Sequence, residues 1–151
     1  MPAATDRNAI PTIAALIKEL DICLLTTHGE DGALDSRPMS NNGLVDWDGR
    51  SWFFAPRHGA MVRQLSADPE AIAGYRATEG FTFVCVSGPV AIETDVELKE
   101  RFWMSELERW FPGGPSDPDV ILLRLDAARA RWWSADGDGD ADLRADVAVA
   151  S

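Results

Sequence analysis

The sequence has few of the residues that build metal sites, disulfide frameworks and membrane spans. It contains only two histidines, His28 and His58, which argues against a site with several histidine ligands. Its two cysteines lie far apart in apolar runs and form no CxxC pair, and we expect free thiols. No apolar run approaches the ~20 residues of a membrane span. The N-terminus lacks a basic region followed by an apolar stretch, which predicts a cytoplasmic protein without membrane contacts.

Several catalytic and phosphate-binding signatures are also missing. The sequence has no GxxxxGK[ST] loop, no GxGxxG after a strand, no GxSxG and no HExxH. The run DGDGDAD (136–142) invites comparison with a calcium loop. However, Ala141 and Val147 occupy the positions where an EF-hand needs glycine and glutamate. We therefore predict no metal site.

Positive charge is scarce. The formal net charge is −11 and the isoelectric point about 4.5. Because such a surface repels phosphate backbones, nucleic acids and anionic membranes are poor partners. One segment differs, because Arg50, Arg57, His58 and Arg63 occur with no acidic residue among them. This basic island is a candidate anion site, and the alternative is the solvated start of a helix.

The apolar pattern predicts a mainly β protein with peripheral helices. We expect one antiparallel barrel domain over residues 1–134 and a flexible acidic and alanine-rich tail over 135–151. A helix is predicted over 10–20 and another over 59–66. Short strands are predicted at 22–27, 33–40, 43–46, 51–55 and 70–76.

The second half of the chain carries the longest strand signal, residues 81–93. Gly88-Pro89 interrupts it and predicts a bulge or bend that lets the sheet curl. A capping box from Thr94 to Glu97 starts a helix predicted to run to about Glu108. The strands 120–125 and 130–133 are predicted to form a closing hairpin.

Six tryptophans are many for 151 residues. Trp103 and Trp110 lie seven residues apart and would share a helix face, while Trp52 lies in a strand. Spacing alone favours core packing over a flat cofactor resting on these rings.

The segment Ser36-Arg37-Pro38-Met39 ends a predicted strand. Because Pro38 has no N–H to donate to a neighbouring strand, this strand end lies at an edge or a bend. An arginine held there can bind a phosphate with two parallel hydrogen bonds. The alternative is a surface arginine on an edge strand.

The order of these pieces resembles the pyridoxamine 5′-phosphate oxidase-like, FMN-binding split barrels, and within them the general stress protein 26 group. The matching pieces are, in order, ELDICLLTTHGEDGALDSRPM, SWFFA, VRQLSADP, FTFVCVSGPVAIETD, the helix with Trp103, WFPGGPSDPD and ILLRLDAARARWW. They cover nearly all of residues 15–134.

The resemblance implies a homodimer of split barrels with two FMN sites in the clefts between subunits. It assigns the phosphate to Arg37 and the isoalloxazine ring to the strand Trp52–Ala55. The residues expected around the cofactor are Ser36, Arg37, Pro38, Met39, Trp52, Phe53, Phe54, Ala55, Arg57, His58, Met61, Trp103 and Trp110. No catalytic side chain is assigned, because the flavin carries the chemistry in such sites.

The sequence departs from this family at the positions that bind the phosphate of FMN. The family's threonine, serine and lysine positions correspond here to Ala55, Gly59 and Met61. Losing one charge-assisted and two neutral hydrogen bonds weakens FMN binding by ~3–5 kcal/mol, unless Arg57, His58 and Arg63 compensate.

Three functions follow from these observations. The first is an FMN-dependent oxidoreductase. The second is a stress-related protein that binds FMN, or a related tricycle such as a deazaflavin, without turnover. The third is a degenerate barrel that has lost phosphate binding and serves as a dimeric scaffold, or binds another ligand such as haem, with His58 as the axial ligand.

Overall fold

The described parts of the chain, residues 9–40 and 46–144 of a computed structural model, form eight strands, three α-helices and one short 3₁₀ helix. In chain order they are α1 (Ala9–Ile17), β1 (Ile22–His28), β2 (Leu34–Ser40), β3 (Arg50–Pro56), α2 (Ala60–Ala67), β4 (Glu70–Arg76), β5 (Thr82–Glu93), α3 (Val96–Phe102), the 3₁₀ helix (Ser105–Arg109), β6 (Val120–Asp126), β7 (Arg129–Ser134) and β8 (Gly137–Asp142).

The strands form one curled antiparallel sheet. The main path of paired strands runs β2-β1-β4-β5-β6-β3; β7 branches from β5 and pairs in turn with β8. The path therefore ends at β2 on one side and at β3 on the other, which leaves a split in the barrel. This arrangement confirms the predicted mainly β split barrel with peripheral helices.

The curl depends on a change of partner within β5. Its first half, Thr82–Ser87, pairs with β7, and its second half, Val90–Glu93, pairs with β6. Gly88-Pro89 lies between the two halves, where the sequence predicts a bend. A Cβ on Gly88 would overlap the carbonyl oxygen of Asp126 and lie 2.9 Å from the Ala128 amide nitrogen. Only glycine fits this close approach of two backbones.

The core fills the inside of the curled sheet. Leu25, Val84 and Leu123, from β1, β5 and β6, are completely buried there. Helix α1 covers one end of the core with Ile13 and Ile17, in agreement with its predicted apolar face. A second apolar cluster packs α3 and the 3₁₀ helix against β3 and β6, and its buried members are Phe54, Phe102, Leu107, Val120 and Leu122.

The predicted helix over 94–108 is wrong in two details. Asp95, not Thr94, is the N-cap, and its carboxylate accepts a hydrogen bond from the Glu97 amide. The helix also ends at Phe102, and a separate 3₁₀ helix follows. Trp103 and Met104 have extended backbone, because their side chains pack against the sheet rather than continuing one helix face.

The predicted closing hairpin is also wrong. β6 pairs with β3 and β5, whereas β7 pairs with β5 and β8. The partner of β7 is the run Gly137–Asp142, which the sequence analysis assigned to a flexible tail. Its aspartates form ion pairs with arginines, Asp140 with Arg129 and Asp142 with Arg144. Gly139 leaves room for the Trp132 ring, so residues with little strand propensity form an ordered strand.

The two cysteines and one further predicted strand can be compared with the structure. Both cysteines are free thiols, and burial raises the pKa of Cys23 to about 12. The predicted strand 43–46 lies outside the described residues apart from Asp46, which belongs to no strand. Within the described ranges, no helix is long and apolar enough to cross a membrane, and no cluster of metal ligands occurs.

The partner change in β5 predicts that alanine is tolerated less well at Gly88 than at another glycine of the sheet. Gly88→Ala is expected to lower the free energy of unfolding by about 1–3 kcal/mol, because the new methyl group meets backbone atoms that do not move cheaply. Gly74→Ala is the control, since its Cβ would be in ordinary contact at 3.9 Å from the nearest atom. Urea denaturation of both variants measures the difference, and equal stabilities would contradict this role of Gly88.

Candidate functional site

A cavity of about 590 Å³ lies at the split, between the two ends of the strand path. Its walls come from β2, β3, the start of α2 and the segment around the 3₁₀ helix. The lining residues are Ile22, Arg37, Pro38, Met39, Ser40, Trp52, Phe54, Ala55, Pro56, Met61, Met104, Leu107, Trp110 and Phe111. Its volume lies in the usual range for small-molecule sites.

Strand β3 supplies the aromatic wall of the cavity. Trp52 and Phe54 alternate with Phe53, which points into the main core. The Trp52 ring stacks on Phe102, with ring centroids 4.1 Å apart and an interplanar angle of 19°. Phe54 makes an edge-to-face contact with Trp103 at 5.1 Å. Both cavity rings are therefore held in place from behind.

A further part of the cavity wall follows from the break after α3. Met104, Leu107, Trp110 and Phe111 line the cavity from this segment. Trp110 is 62% exposed, and the Arg109 guanidinium lies 5.4 Å from its ring centroid. A continuous helix through this region would not provide the same wall, because the extended residues after Phe102 redirect the chain.

A buried lysine holds the loop that follows this wall. Lys99 on α3 is 2% exposed, and its ammonium donates to the carbonyl oxygens of Asp117 at 3.0 Å and Val120 at 2.9 Å. These bonds fasten the end of loop 111–119 to α3 and to the start of β6. Lys99 was not predicted from the sequence, because nothing in a helix pattern shows that a lysine points inward.

Arg37 is the one charged residue of the cavity lining. Its Nη1 donates to the Leu25 carbonyl oxygen at 3.2 Å and to Thr27 Oγ1 at 2.9 Å. Its Nη2 donates to Asp35 Oδ2 at 3.1 Å and to Gln64 Oε1 at 3.0 Å. The guanidinium thus joins β2, β1 and α2 through groups of this chain.

The acceptors around Arg37 are themselves connected. The buried Thr27 hydroxyl donates to Gln64 Oε1 at 2.7 Å, and Gln64 Nε2 donates to Asp35 Oδ2 at 3.2 Å. The hydrogen bond from Gln64, together with the charge of Arg37, lowers the pKa of the Asp35 carboxyl group. Asp35 therefore stays ionised and balances the charge of Arg37. We call these four residues, Thr27, Asp35, Arg37 and Gln64, the Arg37 network.

The basic island lies outside the cavity lining. Arg57 donates to the Pro118 carbonyl oxygen at 3.2 Å, and the exposed His58 lies 3.7 Å from Asp119. Arg63 donates to the His58 carbonyl oxygen and lies 3.5 Å from Glu30. The island is therefore close to acidic partners that are distant in sequence, which the sequence analysis did not foresee.

Eight of the thirteen predicted site residues line the cavity, and they are Arg37, Pro38, Met39, Trp52, Phe54, Ala55, Met61 and Trp110. The other five lie elsewhere. Ser36 is exposed and accepts a hydrogen bond from Thr26, Phe53 is in the core, and Trp103 packs behind Phe54. Arg57 and His58 belong to the basic island.

Six lining residues were not predicted, and they are Ile22, Ser40, Pro56, Met104, Leu107 and Phe111. Most are apolar residues that carry no chemical signature. For Ser40 and Pro56, the only indication in the sequence was that each stands next to a residue predicted to lie in the site.

The lining determines what the cavity can do. Among the described residues, the lining has no histidine, cysteine, lysine or carboxylate, so it provides no acid–base pair and no base to activate the Ser40 hydroxyl. It offers flat aromatic surfaces and three methionines, Met39, Met61 and Met104. Such a cavity suits a planar, mainly apolar ring.

Comparison with known proteins relates the chain to one family. A family model described as "Pyridoxamine 5'-phosphate oxidase like" matches residues 8–149. General stress protein 26 of Bacillus subtilis (strain 168) is 39% identical over 80 residues, which is 52% of this chain and 56% of that protein. The match thus spans little more than half the length of this curated relative.

Solved structures share the fold. A protein related to general stress protein 26, from Clostridium acetobutylicum, has a TM-score of 0.78 at 20% identity and covers 93% of this chain and 99% of its own. An FMN-binding protein from Nostoc punctiforme has a TM-score of 0.69 at 15% identity, covering 92% and 88%. A heme-binding protein from Mycobacterium smegmatis has a TM-score of 0.74 at 16% identity, covering 96% and 62%.

The role of Lys99 predicts a difference between the two lysines of the chain. Lys99→Met is expected to lower the free energy of unfolding by about 2–4 kcal/mol, because two charge-assisted hydrogen bonds to carbonyl oxygens are lost. Lys18→Met, at an exposed position, is the matched control and should change stability little. Chemical denaturation measures both, and a Lys99→Met variant as stable as the parent would refute the role of Lys99.

Proposed function

This chain belongs to the pyridoxamine 5′-phosphate oxidase-like family, and from that premise we propose that it binds a flavin in the cavity at the barrel split. The observation that carries the proposal is the aromatic lining of a cavity of about 590 Å³ between β2 and β3. The family includes FMN-binding proteins, and FMN is the flavin that the resemblance to this family implies.

The residues present fit the ring part of a flavin. Trp52 and Phe54 from β3, and Trp110 and Phe111 from the segment after α3, supply the flat aromatic surfaces of the cavity. The stacking of Trp52 on Phe102 keeps the β3 wall rigid, which reduces the ordering cost of binding. When bound, a flavin supplies hydride and electron transfer, and this chain positions the ring and excludes water from it.

The proposed activity is flavin-dependent oxidation and reduction. The lining offers no acid–base pair, so the chemistry would belong to the flavin and not to side chains. Reduction of the bound flavin by a nicotinamide donor distinguishes an oxidoreductase from a protein that binds a flavin without turnover. A stress-related role rests on the likeness to general stress protein 26.

A homodimer is part of the proposal. The outer face of the sheet exposes large apolar side chains on neighbouring strands, namely Ile22 and Leu24 on β1, Leu34 on β2 and Ile72 on β4. Exposed apolar patches of this kind mark interfaces. Ile22 also lines the cavity, so a second copy on this face would reach the open side of the split. This arrangement supports flavin sites between two subunits.

The other ligands have less support. The haem alternative relied on His58 as the axial ligand, but His58 is exposed beside Asp119 and does not line the cavity. A deazaflavin shares the tricyclic ring, so the same aromatic walls suit it.

Flavin binding predicts a measurable role for Trp110. The purified protein is expected to bind a flavin with a Kd below ~10 µM, about −7 kcal/mol, seen as quenching of flavin fluorescence. Trp110→Ala should weaken binding by ~0.5–1.5 kcal/mol, because one aromatic contact is lost while this exposed position leaves the core intact. Phe81→Ala removes another exposed aromatic ring away from the cavity and is the control. No binding by the parent, or equal affinities in both variants, would contradict the proposal.

The dimer predicts that a charge on the apolar face is disruptive. Leu24→Lys should convert the dimer to a monomer, because the ammonium group would be desolvated in the interface. Val96→Lys, on an exposed position of α3, should leave the dimer intact. Sedimentation velocity measures both. A monomeric parent protein would exclude the dimer.

A further inference from the structure

We propose that the cavity binds the flavin ring without binding its terminal phosphate, so that unphosphorylated flavins bind as tightly as FMN. This inference rests on the proposed function and narrows the ligand class of the same site. It arises because the structure suits one part of FMN and not another. The walls suit the ring, but the groups that should hold a phosphate are either already bonded or apolar.

Arg37 has little bonding capacity left. A guanidinium has five N–H donors, two on each terminal nitrogen and one on Nε. The four terminal donors match the four acceptors, Leu25 O, Thr27 Oγ1, Asp35 Oδ2 and Gln64 Oε1. Arrangements that hold phosphates use two parallel N–H donors of the guanidinium. Only the Nε–H of Arg37 remains for that purpose.

Releasing Arg37 toward a phosphate would be costly. Thr27 and Gln64 are buried, and both would lose the charged donor that they now accept from. The Asp35 carboxylate would stay close to the site, and it would repel a phosphate of the same sign. The lowered pKa of Asp35 means that this carboxylate stays ionised near neutral pH.

No other cation of the described chain takes the place of Arg37 in the lining. Ala55 and Met61, which line the cavity, have no polar side-chain hydrogen to donate. Arg57 and Arg63 lie outside the lining and are engaged with Pro118 and with Glu30. A phosphate monoester carries about −1.5 to −2 charges at pH 7, and burying it without a partner is unfavourable.

The ligand class that fits is therefore a planar tricycle whose side chain carries no charge. Riboflavin belongs to this class and serves as the probe. In such a complex the aromatic walls supply the affinity, and the polar side chain of the ligand extends toward solvent. A terminal phosphate would stay hydrated and would add little to the binding free energy.

The test is a pair of titrations of the full chain with riboflavin and with FMN, at low ionic strength, by flavin fluorescence. The proposal expects Kd values within about threefold of each other. FMN binding tenfold or more tighter than riboflavin would overturn this inference and leave flavin binding intact. No binding of either flavin at 1 mM would overturn the proposed function, and the inference with it.

A charge added at Met61 gives a second, independent readout. Met61→Lys should tighten FMN binding at least tenfold relative to riboflavin, because it introduces a cation where the lining has none. Met61→Leu keeps the lining apolar and should leave the ratio of the two Kd values unchanged. An unchanged ratio in Met61→Lys would refute the account that a missing cation removes the phosphate preference.

Discussion

The site exists because β5 changes its partner at Gly88. The first half of this strand pairs with β4 and β7, and the second half continues into β6 and β3. One strand thus belongs to both halves of the sheet, and the strand path ends at β2 and β3 with a gap between them. The residues that line the cavity come from the strands on the two sides of this gap, from the start of α2 and from the segment after α3. The break after α3 leads into the segment 104–111, which lines the cavity, and the hydrogen bonds of Lys99 hold α3 against the start of β6.

The Arg37 network sets the electrostatic character of this gap. Arg37 lies at the edge strand that the Ser36–Met39 segment predicted, yet its charge is balanced within the chain by Asp35. The cavity is consequently an aromatic and methionine-rich space with almost no free charge. A likeness in fold does not transfer a ligand unchanged, because the same position can be used to bind a phosphate or to fasten three elements of the protein together.

Local patterns of sequence predicted most of the strands, the core face of α1 and the bend in β5, because apolar periodicity and Gly-Pro pairs act over a few residues. Contacts between distant residues were not predictable in this way. Strand β8 forms because Asp140 of a polar run pairs with Arg129 of β7, and because Gly139 accommodates the Trp132 ring. The inward direction of Lys99 and the pairing of Arg37 with Gln64 likewise depend on residues 18 and 27 positions away.

The most direct test of this account is a crystal structure of the protein with a bound flavin. We expect the isoalloxazine ring to lie in the cavity in contact with Trp52 and Trp110. The Arg37 network should be unchanged, with Nη1 still about 2.9 Å from Thr27 Oγ1. A ring bound elsewhere, or an Arg37 that has left Thr27 and Gln64 to bind the phosphate of FMN, would contradict it.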